Sequence, residues 1–152
     1  MYKFDSNNKD HLSVKSWFDI WEIYVQNKEY DSAKKLFLED VVSFGTWMDV
    51  VQGIDKLSSG QWKNIWPTIT DFKFLTNTLF IQISPDRLFS NSILVWDSLG
   101  YQKGGEPYKR AGRASVVLKR LSLDDSWKGI HTHFSLNRGI PQQSYGKIKG
   151  KS

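Results

Sequence analysis

Apolar residues recur at helical spacing along 13–27, where Val14, Trp17, Phe18, Trp21, Tyr24 and Val25 share one face and Ser13 stands in position to cap. That spacing predicts a helix from about Ser13 to Asn27. A shorter helix is predicted over about Asp31 to Leu38, where Ala33, Leu36 and Phe37 are apolar. A third begins after Gly53, carries Ile54, Leu57, Trp62, Ile65 and Trp66, and stops at Pro67, whose ring removes a backbone donor and clashes with the preceding turn. Between the last two, EDVVSFGTW reads as a short strand.

After Pro67 the period falls from 3.6 to two. Runs at about 72–84, 88–101, 108–121 and 127–137 are rich in β-branched and aromatic residues, and SPD, QKGGEP and LSLDD separate them with turn chemistry. Helices followed by a meander of strands predict an α+β domain, with the helices on one face of a curved antiparallel sheet. In the last strand Ile130, Thr132, Phe134 and Leu136 alternate with Gly129, His131, His133 and Ser135, so the two sets lie on opposite faces. Folding the middle hairpin about Gly105 sets Asp97 opposite Arg113 and Trp96 opposite Ala114, and the LSLDD turn sets Ser115 opposite His133. One face then carries Leu94, Trp96, Ala114, Val116, Leu118, Thr132 and Phe134; the other carries Asp97, Arg113, Ser115, His131, His133 and Ser135. A one-residue slip in either hairpin would mix them.

Composition narrows the classes. A chain of 152 residues suits one domain, here read as 1–146, with KIKGKS at 147–152 as a basic, disordered tail. That tail holds Lys147, Lys149 and Lys151, three of the five excess positive charges, so the rest is close to balanced. Basic residues do not interleave with the aromatics as a base-stacking surface requires, and nucleic acid is not an expected partner. There are no cysteines, which excludes disulfides and thiolate sites. The first residues lack the basic start and the roughly 7–15-residue apolar run of a secretory signal, and no stretch reaches the about 18 apolar residues of a membrane span. A cytoplasmic location without membrane association is the resulting expectation.

His131 and His133 invite a metal reading. Two histidines lack the third protein ligand that a functional site usually needs, and His11 lies in an unrelated segment, so no metal and no cofactor are expected. Ser135 and His133 stand side by side along one strand with no oxyanion feature, which argues against a hydrolytic pair. The glycines of GYQKGGEP sit between two strands with no helix after them, so they form no phosphate loop.

The segments YDSAKKLFLEDVVSFGTW, QGIDKLSSGQW, LVWDSLGY, GRASVVLKR and WKGIHTHFSLNRG, which together span nearly the whole chain, resemble the SnoaL-like branch of the nuclear transport factor 2-like superfamily. The Trp that opens the final strand and its H-x-H-x-S ending carry the resemblance furthest. It implies a cone-shaped fold of about three helices on a curved antiparallel sheet, on a scaffold that also hosts ketosteroid isomerases, polyketide cyclases, dehydratases and association domains. Ketosteroid isomerase chemistry needs an Asp base, a Tyr donor and a protonated Asp. The resemblance places the tyrosine position on Trp21 and the base position on Gly45, beside Phe44, which leaves no group there to take a proton. Arginines that line the inner pocket of the kinase association domain match Trp96, Val116 and Phe134, so the apolar face is expected to be the inner one, with no ionisable group entering the cavity.

The implied pocket holds Trp21, Tyr24, Phe44, Trp66, Trp96, Thr132 and Phe134 and suits a small hydrophobic molecule. The polar row falls on the outer sheet face, expected to join two copies as a homodimer. The sequence thus points to a dimeric binding module. The alternative is an enzyme of the cyclase, isomerase or dehydratase type using Asp97, Arg113, His131 or His133.

Overall fold

In the computed structural model, which describes residues 1–150, helix α1 (Lys9–Asn27) begins earlier than the spacing predicts. Asn8 takes the cap, its side-chain oxygen accepting from the Asp10 and His11 N–H groups at 2.9 and 3.1 Å. Ser13 lies inside the helix instead, donating to the Asp10 carbonyl and accepting from the Trp127 indole. Helix α2 (Tyr30–Lys34) stops short of Leu38, because Phe37 already opens strand β2 (Phe37–Phe44). After β3 (Val51–Gln52), the third helical stretch breaks into α3 (Ile54–Lys56), a π-helical segment (Leu57–Trp62), α4 (Lys63–Ile65) and a 3-10 turn (Trp66–Thr68). Gly60 lies in the widened part, where a Cβ would meet the Met48 sulfur at 2.3 Å.

The remaining strands are β1 (Tyr2–Lys3), β4 (Thr70–Ile83), β5 (Phe89–Tyr101), β6 (Pro107–Lys109), β7 (Gly112–Lys119) and β8 (Lys128–Leu136). The eight-stranded sheet runs β1-β4-β5-β7-β8-β2-β3, with β6 paired to β5. It is mixed rather than wholly antiparallel: β2 lies parallel to β8, with Ser43 opposite Thr132. Irregularities in β4 and in the β2 and β8 pairings bend the sheet. Its concave face packs on α1 and the third helical stretch, around a core that includes Trp17, Phe18, Trp21, Phe74, Trp96 and Val116.

The LSLDD hairpin has the expected pairing, with Ser115 opposite His133. The β5–β7 hairpin is shifted by two residues. Arg113 faces Val95 and Trp96 faces Gly112, because the turn closes over Lys103–Gly105 with Gly105 at φ +92° and a Gln102 to Glu106 backbone bond. A two-residue shift preserves the alternation, so both face assignments survive it. The last two residues of the expected basic tail, 151 and 152, lie outside the described residues.

Candidate functional site

Between the helices and the concave sheet face lies a cavity of about 60 Å³. Four tryptophans reach it: Trp21 from α1, Trp62 and Trp66 from the third helical stretch, and Trp96 from β5. Trp62 and Trp66 are stacked at 4.8 Å, and Tyr30 continues the stack onto Trp66 at 5.2 Å. Phe134 closes the opposite wall, 5.5 Å from Trp21 and 6.0 Å from Trp96 between ring centres. Gly112 makes room for Trp96: a Cβ there would come 2.0 Å from the Ser135 carbonyl and 2.5 Å from the indole.

Of the residues the sequence singled out for the pocket, Trp21, Trp66, Trp96, Thr132 and Phe134 line the cavity. Tyr24 packs against the core outside it. Phe44 borders the cavity, but its ring lies edge-on to His131 and His133 on the outer face, at 5.1 and 5.2 Å. The polar candidates are on that outer face too. His131 bonds through Nδ1 to the Val42 carbonyl at 2.7 Å, His133 is exposed, and Asp97 pairs with Lys109 at 3.4 Å rather than with Arg113. Among the described residues no cluster of three His, Cys, Asp or Glu side chains is close enough to hold a metal.

Polar groups in the cavity wall are held by one another. The Ser43 and Thr132 hydroxyls bond across the parallel β2–β8 pair at 2.8 Å, both almost fully buried. Gln61, on the π-helical segment, accepts from the Trp47 and Met48 N–H groups at 3.1 and 2.7 Å and donates to the Thr46 hydroxyl. Its amide fills the space beside Gly45, where a Cβ would lie 2.5 Å from it.

The sequence reading missed Arg110, and the expectation of a cavity without ionisable groups is corrected by it. Arg110 is 1% exposed and lines the cavity, its guanidinium 5.8 Å from the Trp96 ring centre. One terminal nitrogen donates to the Thr46 hydroxyl and the Gln142 carbonyl, both at 3.3 Å. Its Nε has no acceptor, and no carboxylate pairs with it among the described residues. Burial pushes its pKa below the ordinary guanidinium range, opposed by the Tyr108 phenol. The signal was in the alternation: residues 110, 112, 114, 116, 118 and 120 share the inner parity, and all six are buried.

Arg120, at the far end of that row, is equally buried but fully partnered. Asp10 accepts from it at 2.7 Å, and it lies 4.1 Å over Trp127. The C-terminal segment crosses the Arg110 end. Gln142 donates to the Thr46 carbonyl, Ser144 to the Thr68 carbonyl, and the Tyr145 N–H to the Tyr101 carbonyl.

No protein-family model matches the chain, and no curated protein matches it. Solved structures do. A protein from Xanthomonas campestris assigned as a calcium/calmodulin-dependent protein kinase II association domain superposes with a TM-score of 0.73 at 16% identity, over 92% of this chain and 99% of that one. A nuclear transport factor 2-like superfamily protein from Salmonella enterica gives 0.71 at 12% identity, over 96% of each chain. A ketosteroid isomerase-like protein from Erwinia carotovora gives 0.68 at 14%, over 85% of this chain and 97% of that one. The chain has the nuclear transport factor 2-like cone fold that the sequence resemblance implied. Fold alone does not assign an activity.

Proposed function

We propose that this protein is a SnoaL-like binding module that holds a small hydrophobic molecule in the aromatic cavity and works as a homodimer. The observation that carries the reading is the cavity wall: four tryptophans and Phe134 around one space, with no carboxylate and no histidine in it among the described residues. A general acid or base must come within hydrogen-bond reach of the atom it serves. Asp97, Arg113, His131 and His133 all lie on the other side of the sheet, so among the described residues none of the groups that the cyclase, isomerase or dehydratase alternative relied on enters the cavity.

The space of about 60 Å³ is smaller than the roughly 150 Å³ of a cavity that takes up benzene, so a single-ring ligand requires the aromatic walls to move apart. The homodimer is proposed through the outer sheet face. Phe44 and Ile93, each about two-fifths exposed there, stand at the two ends of one cross-strand row with His133 and Ser115 between them, a patch that a second copy would cover.

Native mass spectrometry of the purified protein, followed by a toluene titration read by tryptophan fluorescence, tests both parts. The expected result is a two-subunit mass that Ile93→Lys converts to one subunit, and saturable toluene binding. A single-subunit wild-type mass overturns the dimer. A protein that binds neither toluene nor any other single-ring aromatic probe overturns the pocket.

A further inference from the structure

Three buried side-chain nitrogens among the described residues have no hydrogen-bond acceptor: Trp21 Nε1, Trp96 Nε1 and Arg110 Nε. All three belong to residues that line the same cavity. Buried polar groups are almost always satisfied, so three orphans in one place mark a missing partner. The orphans are all donors. The acceptors nearby are already engaged, with Gln61 Oε1 taking two N–H groups and Thr46 Oγ1 taking two more. In the Ser43–Thr132 pair only one proton can lie between the oxygens, which leaves the other hydroxyl proton over.

We propose that the molecule held in this cavity is a small organic acid, its carboxylate facing Arg110 and its apolar body lying against the tryptophan and phenylalanine rings. The proposal rests on the pocket reading above and names the ligand's chemical class. A carboxylate offers acceptors only, which complements a set of spare donors; a water brings as many donors as acceptors. It also carries the one charge the site lacks. The comparison within the row makes this specific: Arg120 has Asp10 to balance it, whereas Arg110, buried at the other end of the same face, has no carboxylate partner among the described residues. A buried cation without a counter-ion is unfavourable, and a bound anion removes that cost. One cation in a small, mostly apolar space suits a monoanion with a hydrocarbon body better than a phosphate, which carries more charge than this wall can meet.

Tryptophan fluorescence of the wild-type protein, titrated in parallel with sodium benzoate, benzamide and toluene, tests the inference. Benzoate is expected to bind about tenfold or more tightly than its neutral isostere benzamide, the usual margin for a charged hydrogen bond. Arg110→Met, which replaces the charge by an apolar chain of similar length, is expected to abolish that preference while toluene still binds. Wild-type thermal shifts with benzoate and with benzamide give the same comparison without any variant. Equal binding of the two, or a preference that survives in Arg110→Met, overturns the carboxylate. Toluene binding without benzoate binding also overturns it but leaves the pocket standing, and failure of all three ligands overturns both.

Discussion

The Ser43–Thr132 hydroxyl pair makes a sharp test of the parallel β2–β8 pairing that carries the cavity wall. The two oxygens are 2.8 Å apart, and the residues are 1% and 3% exposed. Thr132→Val keeps the shape and deletes one partner, which strands the Ser43 hydroxyl; Ser43→Ala strands Thr132 in the same way. Each single change is expected to cost about 1–3 kcal/mol, the penalty of an unsatisfied buried polar group. With both removed nothing is stranded, so the double variant is expected to lie close to the worse single one. The coupling from the double-mutant cycle is therefore about 1–2 kcal/mol. Urea unfolding of the four proteins measures it, since a 1–2 kcal/mol difference moves the midpoint by roughly 0.5–1 M at a slope of about 2 kcal/mol/M. Additive single effects would refute the argument. They would mean that water reaches both hydroxyls, or that the two strands are not paired as described.

Two other changes follow from specific contacts. Hydrogen bonding to Arg87 and then to Arg120 holds the Asp10 carboxyl below its ordinary pKa against the opposing effect of burial. The folded state therefore binds this proton less readily than the unfolded chain, so the pair's contribution is complete above about pH 4 and is lost as pH falls through the depressed folded value. The stability difference between wild type and Asp10→Asn, followed by urea unfolding from pH 7 to pH 2.5, is expected to shrink on acidification; a difference that stays constant would rule the linkage out. Gly112→Ala is expected to destabilise by about 3 kcal/mol, because its Cβ would meet a main-chain oxygen as well as Trp96. A thermal midpoint within one or two degrees of wild type would show that β8 can move aside.

How much of this was legible follows from which signals are local. Periodicity located α1 and the strand runs, although the run at about 108–121 divides into β6 and β7, and parity sorted Trp96, Val116 and Thr132 from Asp97, Arg113 and His133 even though the hairpin turned over Lys103–Gly105 instead of about Gly105. The error was harmless because it was an even number of residues. Ends were less legible: Asn8 outcompeted Ser13 as the cap because Ser13 is engaged by Trp127, 114 positions away in sequence. The π-helical segment had no local signature beyond Gly60. Arg110 was missed because a lone arginine reads as a surface residue, and only its parity with Gly112 and Ala114 would have drawn it inward. The parallel placement of β2 against β8 depends on tertiary packing that no pattern within either strand encodes.

The fit between Gly45 and Gln61 constrains what this chain could become. Position 45 is where the resemblance to the isomerases would put a catalytic carboxylate, and its backbone would tolerate a side chain, since Gly45 is not among the glycines at positive φ. A Cβ there would lie 2.5 Å from the Gln61 amide, so Gln61 would have to swing aside to admit it. Shortening Gln61 first would release the Trp47 and Met48 N–H groups that it holds. A mutational path toward a proton-transferring descendant therefore has to displace or shorten Gln61, and either change costs the hydrogen bonds that hold the Trp47 and Met48 N–H groups.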